Sequence, residues 1–301
     1  MDHAMDQPIP ISGSIEATAP FSNRPPSPPY IHVPPFMGMD TAGGKGLFRA
    51  LTLTPSPSNL GSAGLTEAAF QTVASYGPLA AKDNANQWVY EARRQIQQVL
   101  PYMYLGPASA VRDRQFIANE GITMMLALRN ARFPTTGFVI VDKVAAELGI
   151  ARENIDISGH WELAGAFTRA VGLINAHLEL AGPRGRVLVV CETGNERSAA
   201  VVGAYIMTVY AVDLVMAVQF VGLKRFCVMF DDDTKNAMQV YGDILRARRD
   251  VQGFAGVEQK VEGGKRRVDE VLVSEENGMV VDEVEVERYT GRGFVPFVER
   301  G

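Results

Sequence analysis

Apolar residues between about positions 86 and 250 follow two alternating patterns. Short unbroken apolar runs, which are typical of strands buried on both faces of a parallel sheet, are separated by stretches with an apolar residue every three or four positions, which is typical of helices. The predicted strands are residues 100–107, 122–128, 154–157 and 187–190. The predicted helices are residues 111–120, 138–148, 163–178, 198–209, 214–222 and 234–249. This alternation predicts an α/β domain with a central, mostly parallel sheet flanked by helices.

The regions on either side of this domain, which spans residues 86–250, have a different composition. Residues 1–85 are rich in proline, serine, glycine, alanine and threonine, so they bury little apolar surface and are expected to form a mostly disordered tail. Proline-rich stretches in this tail are candidates for partner docking, and a plain solvated tail is the alternative. Residues 251–301 carry more charge and glycine, and we expect a mostly irregular tail there.

The most distinctive stretch joins a predicted strand to a predicted helix through a short loop. Its residues are Cys191, Glu192, Thr193, Gly194, Asn195, Glu196, Arg197 and Ser198. Backbone N–H groups of such a loop and of the helix N-terminus can converge on a phosphate, and an arginine can bind two phosphate oxygens. The same positive field favours the thiolate, the nucleophilic form of cysteine. The pattern predicts a phosphate-binding loop with a nucleophile at its base; the alternative is a buried core cysteine that ends a strand.

Composition limits the classes of function. The chain has 301 residues and a net charge of −5, so it can form a sizeable core, and a broad nucleic-acid surface is not supported. Its two cysteines lie far apart and its four histidines lack metal-ligand spacing, so we expect neither a disulfide framework nor a zinc site. No apolar run approaches the about 18 residues of a membrane span. We expect a cytoplasmic and/or nuclear protein in a reducing compartment.

Four stretches resemble the dual-specificity phosphatases, a cysteine-dependent branch of the protein-tyrosine phosphatase superfamily. They are residues 100–107, residues 121–123, the loop 191–198, and residues 224–227 with 231–241. The last of these is similar to the Arg-Arg-Phe-Cys stretch and final helix of the STYX-like (serine/threonine/tyrosine-interacting) group. The resemblance implies a protein-tyrosine/dual-specificity phosphatase-like fold, and a phosphoprotein or phosphopeptide as substrate or partner.

The resemblance also implies a role for each residue of the loop. Cys191 would attack phosphorus and form a cysteinyl-phosphate, while Arg197 would bind the equatorial oxygens. Ser198 would hydrogen-bond the leaving thiolate, and Gly194 would let the backbone approach the phosphate closely. Because the loop amides and Arg197 supply the positive field, no metal or other cofactor is implied. The predicted phosphate-binding residues are Glu192, Thr193, Gly194, Asn195, Glu196 and Arg197.

Three features of the chain depart from the family pattern. Val190 stands where the family usually has a histidine, so one polar support of the loop is missing. Glu192 and Glu196 add negative charge to a loop that should bind an anion. The family's general acid lies about 32 residues before the cysteine, where this chain has Gly159. Asp156 is the tentative general acid, and the alternative is a solvated or capping carboxylate at a strand end.

Two classes of function follow from these residues. The first is a dual-specificity-type, cysteine-dependent protein phosphatase of weak activity that acts on phosphotyrosine, phosphoserine or phosphothreonine. The second is a STYX-like pseudophosphatase that binds phosphoproteins or partner proteins without useful catalysis. The intact Cys191 and Arg197 favour the enzyme, and Val190 and Gly159 favour the pseudophosphatase. A third possibility is an interaction scaffold that uses the proline-rich tail.

Overall fold

The computed structural model describes residues 30–36, 50–61, 65–83, 87–132 and 135–258. The strands in these ranges are β1 Leu51–Leu53, β2 Leu79–Ala81, β3 Gln97–Leu100, β4 Met103–Pro107, β5 Met124–Asn130, β6 Ala151–Ile157 and β7 Val187–Cys191. The α-helices are α1 Glu67–Ala74, α2 Arg114–Asn119, α3 Val139–Leu148, α4 Leu163–Ala181, α5 Arg197–Val209, α6 Leu214–Lys224 and α7 Asp232–Glu258. No described helix has the length and apolar content needed to cross a membrane.

The central sheet has five strands in the order β3-β4-β7-β5-β6. Strands β4, β7, β5 and β6 are parallel neighbours, and β3 pairs with β4 in the antiparallel direction. Every residue of β7 is buried, as expected for the central strand of a sheet covered by helices on both faces. The predicted α/β fold with a mostly parallel sheet flanked by helices is therefore confirmed.

Two apolar layers cover the sheet, and successive residues of β7 point into different layers. Val187, Val189 and Cys191 belong to the larger layer, which includes side chains of α4, α5, α6 and α7. Leu188 and Val190 belong to the smaller layer, which includes side chains of α2 and α3. The candidate nucleophile and the valine that replaces the family's usual histidine therefore lie on opposite faces of the sheet.

Residues 1–85 were expected to be mostly disordered, but residues 50–83 include β1, α1 and β2. Strands β1 and β2 pair in the antiparallel direction, and Leu53, Ala69 and Val73 are at most 1% exposed in the larger layer. The average composition of the region does not show the short apolar segments that form β1, α1 and β2. Residues 30–36 also pack on the domain, whereas residues 1–29 lie outside the described residues.

Other boundaries differ in smaller ways. The predicted strand 100–107 is a hairpin, because a turn at Pro101 and Tyr102 separates β3 from β4. The expected end of the helix 138–148 at Gly149 is confirmed, since Gly149 has a φ of +64°. The last helix continues to Glu258, beyond the predicted residue 249. The irregular tail expected at residues 251–301 lies mostly outside the described residues.

Candidate active site

Cys191 lies at the carboxyl end of the central strand, directly before the loop. Its side chain is 1% exposed, and its Sγ accepts two hydrogen bonds, from the Gly194 backbone N–H at 3.2 Å and from Ser198 Oγ at 3.0 Å. Ser198 itself is fully buried in the first turn of α5. Two donors directed at one sulfur stabilise negative charge there. A cysteine that only fills the core would not need these donors.

Gly194 allows the loop to fold tightly over the end of β4. Its φ is +73°, and a Cβ atom at this position would lie 2.3 Å from the Gly106 carbonyl carbon and 2.4 Å from the Pro107 nitrogen. Both the backbone conformation and the contact therefore require glycine. The sequence predicted a close approach of Gly194 to phosphate, and the structure shows a close approach to the neighbouring strand.

Arg225, which follows α6, fixes the loop through hydrogen bonds from its side chain. It is 1% exposed, and it donates hydrogen bonds to the Gly194 carbonyl at 3.0 Å and to Asn195 Oδ1 at 3.0 Å. Its remaining donors bind the Arg93 and Gln95 carbonyl oxygens at 2.8 and 2.9 Å and the Gln97 side chain. Burial lowers the pKa of Arg225 from its ordinary value. All of these acceptors are neutral, so the guanidinium carries an uncompensated positive charge beneath the loop.

Arg225 belongs to residues 224–230, which run from the last residue of α6 through a turn at residues 226–227 and which we call the partition segment. Alternate residues on one side of this segment contact the loop: Arg225 as above, Cys227 through its thiol, which donates to Asn195 Oδ1 at 3.3 Å, and Met229 through its N–H, which donates to the Asn195 carbonyl at 2.9 Å. Asn195 therefore points toward this segment, and its contacts fix the loop.

Glu192 contacts the arginine that is expected to bind phosphate. Its Oε2 accepts a hydrogen bond from Arg197 Nη1 at 3.1 Å, and its Oε1 accepts one from the Asn130 backbone N–H at 3.2 Å. Glu192 and Arg197 are 40% and 25% exposed at their side chains. An incoming phosphate must therefore compete with this carboxylate for the guanidinium.

Replacement of Glu192 by glutamine is expected to strengthen oxyanion binding. Loss of an exposed ion pair of about 1 kcal/mol should lower the Kd for tungstate about fivefold. Calorimetric titration of the full chain measures this, with Glu196→Gln as the matched control, because it removes the same charge from the same loop without a contact to Arg197. An equal effect of both variants would show that general repulsion, and not the Glu192–Arg197 contact, limits binding.

The remaining loop residues that were predicted to bind phosphate make different contacts. Thr193 Oγ1 accepts a hydrogen bond from the Asn195 N–H at 3.2 Å and lies 4.0 Å from Cys191 Sγ. Glu196 precedes α5, without a capping hydrogen bond from its side chain. Hydrogen bonds thus bring Cys191, Gly194 and Ser198 together, while Arg197 contacts Glu192. The phosphate-binding roles of Glu192, Thr193, Gly194, Asn195, Glu196 and Arg197 stay predictions. Within the described ranges, no three His, Cys, Asp or Glu side chains are grouped so that they could hold a metal ion.

Asp156, the tentative general acid, forms a two-point ion pair with Arg129. Its Oδ1 and Oδ2 accept hydrogen bonds from Arg129 Nε at 2.6 Å and Nη2 at 2.7 Å, across the neighbouring strands β6 and β5. This pairing lowers the pKa of Asp156, so the carboxyl group is ionised and a poor proton donor. The geometry does not support the general-acid role, and it fits the alternative of a carboxylate at a strand end.

A pocket next to Arg197 includes Gly159, which stands at the position of the family's general acid. Gly159, His160, Trp161 and Asp231 line it. Burial raises the pKa of Asp231, but hydrogen bonds from Thr234 outweigh this effect and the net shift is downward, so Asp231 is ionised as well. His160 belongs to a residue type that can donate protons in catalysis.

Trp161 occupies the space above Gly159. A Cβ atom at Gly159 would lie 2.3 Å from two carbons of the Trp161 indole, although the Gly159 φ of −171° is open to any residue. A side chain at position 159 would therefore have to displace the indole from its present position. Trp161 is 72% exposed, and the Arg132 guanidinium lies 5.4 Å from its ring centroid. The Trp161 indole thus lies where a general-acid side chain at position 159 would begin.

No site role was assigned to Arg225 from the sequence. The signal was present, because Arg225 lies in the stretch that resembles the STYX-like group. Its five acceptors come from residues 93–97 and 194–195, however, and nothing in the sequence places these two stretches together.

A thiol at the end of the central parallel strand, with a loop that leads to an arginine at a helix N-terminus, defines the class of cysteine-dependent phosphatases. Comparisons with known proteins specify the family. The family model described as "Dual specificity phosphatase, catalytic domain" matches residues 103–243. The chain belongs to the dual-specificity phosphatase family, as its 33% identity to a human relative and its 30% identity to a mouse relative show.

Both relatives match the chain over much of their length. The mouse serine/threonine/tyrosine-interacting protein is similar over 176 residues, which are 57% of this chain and 75% of that protein. Human dual specificity protein phosphatase 13B is similar over 142 residues, 46% of this chain and 69% of that protein. The crystal structure of human tyrosine phosphatase-like serine/threonine/tyrosine-interacting protein has 25% identity and a TM-score of 0.41, and covers 50% of this chain and 97% of that chain. The relatives thus include STYX-like proteins and dual-specificity phosphatases.

Proposed function

We propose that this protein is a weak dual-specificity-type protein phosphatase with Cys191 as nucleophile. The observation that carries the proposal is the pair of hydrogen bonds from Gly194 and Ser198 to Cys191 Sγ. In the first step, Sγ attacks phosphorus, an S–P bond forms, and the P–O bond to the substrate oxygen breaks. In the second step, water attacks the cysteinyl-phosphate and releases inorganic phosphate, and Ser198 stabilises the departing thiolate. Arg197 balances the charge of the equatorial oxygens in both steps.

The same geometry explains why activity would be weak. The leaving oxygen must take up a proton, and Asp156 and Asp231 are both ionised. General acid catalysis contributes about 10²–10⁴-fold, so its loss slows hydrolysis of poor leaving groups without abolishing it. Arg197 must also be released from Glu192 before it binds phosphate.

Family membership indicates phosphoprotein substrates or binding partners. A preference among phosphotyrosine, phosphoserine and phosphothreonine proteins, and a cytoplasmic and/or nuclear location, are parts of the proposal. Partner docking on the proline-rich tail stays a prediction. Residues 1–29 lie outside the described residues, and Ser56, which lies between Pro55 and Pro57, donates its backbone N–H to the Val209 carbonyl of the domain itself at 3.0 Å.

A pseudophosphatase is the second candidate, and two contacts favour it. Glu192 occupies the guanidinium of Arg197, and Trp161 occupies the space above the position of the family acid. Such a protein would bind phosphorylated partners through the loop without turning them over. The expected result is tungstate binding by the wild type without hydrolysis of even an activated aryl phosphate.

Turnover of p-nitrophenyl phosphate by the full chain tests the proposed reaction, because this substrate has a good leaving group and needs no general acid. The wild type should turn it over measurably, and Cys191→Ser should fall to the buffer rate. Acid quenching followed by mass spectrometry should find the phosphoryl group on Cys191, with Cys227 as the internal control in the same sample. Wild-type turnover equal to that of Cys191→Ser, or phosphate on Cys227, would contradict the mechanism.

A further inference from the structure

A cavity of about 490 Å³ lies on the side of the partition segment that faces away from the phosphate loop. Phe36, Trp88, Phe226 and Phe230 contribute aromatic walls, and α6 closes another side. Phe226 is 56% exposed, and its ring centroid lies 5.4 Å from that of Trp88. The size and the largely apolar lining, with four aromatic side chains, are typical of small-molecule sites.

The partition segment separates the two sites by strict alternation. Lys224, Phe226, Val228 and Phe230 line the cavity, while the residues between them contact the loop as described above. None of the loop residues 191–198 lines the cavity. The cavity is therefore a separate place on the domain, not an extension of the phosphate loop.

Lys224 supplies a cationic group at the cavity wall. Its side chain is half-buried, and its Nζ lies 5.7 Å from the Phe220 ring centroid. Among the described residues, its ammonium has no ion-pair or hydrogen-bond partner. Asp83 also lines the cavity, and the described residues show no ion pair between it and Lys224. Burial lowers the pKa of Lys224, as expected for a cation that has lost water without gaining an anion.

We propose that this cavity is a binding site for a small amphiphilic anion with an aromatic body. The aromatic body would pack among Phe36, Trp88, Phe226 and Phe230. Its sulfonate, carboxylate or phosphate group would pair with Lys224. Aromatic walls beside a lysine that has no carboxylate partner among the described residues favour this chemistry over an uncharged apolar molecule. The site is independent of the proposed catalytic reaction.

N-terminal residues complete the site. The Pro34 carbonyl accepts a hydrogen bond from Gln219 Nε2 at 2.7 Å, and the Ile31 carbonyl accepts one from Lys235 Nζ at 3.0 Å. These contacts hold residues 30–36 against α6 and α7, with Val33 and Phe36 facing the cavity. The full chain is therefore the right material for a binding experiment.

Gly222 offers a way to fill the cavity without harming the fold. It lies on α6 and lines the cavity, and a Cβ atom there would meet no other atom within 4 Å. Gly222→Leu therefore adds a side chain to open space and also raises helix propensity. Gly172→Leu on α4 is the matched control, because its Cβ also meets no atom within 4 Å and it does not line the cavity.

Fluorescence titration of the full chain with 1-anilinonaphthalene-8-sulfonate tests the proposal. Wild type and Gly172→Leu should bind one equivalent with equal Kd, and Gly222→Leu should lose this binding. Lys224→Met should weaken it about five- to tenfold. N-phenyl-1-naphthylamine, the same molecule without the sulfonate, should bind wild type and Lys224→Met within twofold of each other, which isolates the charge–charge contribution.

Three results would overturn the proposal. Unchanged binding by Gly222→Leu would place the probe elsewhere, and displacement of the probe by saturating tungstate would place it at the phosphate loop. An equal loss of both probes in Lys224→Met would leave an apolar groove without anion selectivity, better suited to an uncharged peptide. Thermal melts of each variant exclude unfolding as the cause, and Lys224→Met decides the question if Gly222→Leu does not fold.

Discussion

Arg225→Met is expected to lower the free energy of unfolding by about 3–5 kcal/mol and to abolish tungstate binding. The substitution leaves the Gly194, Arg93 and Gln95 carbonyl oxygens without their buried donor. It also removes the positive charge beneath Cys191 and releases Asn195. Urea denaturation measures the loss of stability, and calorimetry measures oxyanion binding at a temperature at which the variant stays folded.

Two further variants test whether the expected losses depend on the buried guanidinium of Arg225. Arg225→Lys keeps the charge but cannot reach all of the acceptors, so an intermediate loss is expected. Arg246→Met removes an arginine that is 65% exposed at its side chain and paired with Asp243, and it should cost less than about 0.5 kcal/mol. If Arg225→Met matched Arg246→Met in stability and bound tungstate normally, the loop would not depend on Arg225.

Catalysis should depend strongly on the leaving group. Wild type is expected to turn over p-nitrophenyl phosphate at least about 10²-fold faster than a phosphoserine peptide, because a serine alkoxide needs a proton that Asp156 does not supply. Steady-state kinetics on both substrates measure the ratio. Asp156→Asn should leave this ratio unchanged, because Asp156 is paired with Arg129. A large fall in phosphopeptide turnover alone would restore Asp156 as the acid.

Restoration of the acid should require two substitutions. Gly159→Asp alone collides with the Trp161 indole, whereas Gly159→Asp with Trp161→Ala has room for the carboxyl group. The double variant is expected to raise phosphopeptide turnover about tenfold or more over Trp161→Ala, and to spare the aryl phosphate. Comparable, fast turnover of both substrates by the wild type would show that the enzyme already has a proton donor, and His160→Gln would then test the nearest histidine.

Features encoded in consecutive residues were predictable from the sequence. The apolar run of β7, the loop from Cys191 to Ser198 and the helix after it are all local, so their pattern predicts strand, loop and helix. The order of the core elements between residues 100 and 249 follows from hydrophobic periodicity for the same reason. Gly149 as a helix end is another local signal.

Features that depend on distant stretches were not predictable. The contacts of Arg225 join residues far apart in the chain, and Asp156 could be assigned to Arg129 only after the register of β5 and β6 was known. The role of Trp161 in excluding a side chain at Gly159 follows from a single ring position. The packed elements between residues 50 and 83 were missed because composition averaged over a long region conceals short apolar patterns.

The opposite orientations of Cys191 and Val190 determine what a histidine at position 190 would contact. Val190 is fully buried beside Leu188, Val141 and Ile117 in the smaller layer, and the hydroxyl of Tyr104 in that layer already donates to Glu120. A histidine at position 190 would enter this layer without a partner for its ring nitrogens. Val190→His alone is therefore expected to destabilise the smaller layer, and a histidine at this position would need a hydrogen-bond partner among the side chains behind the sheet.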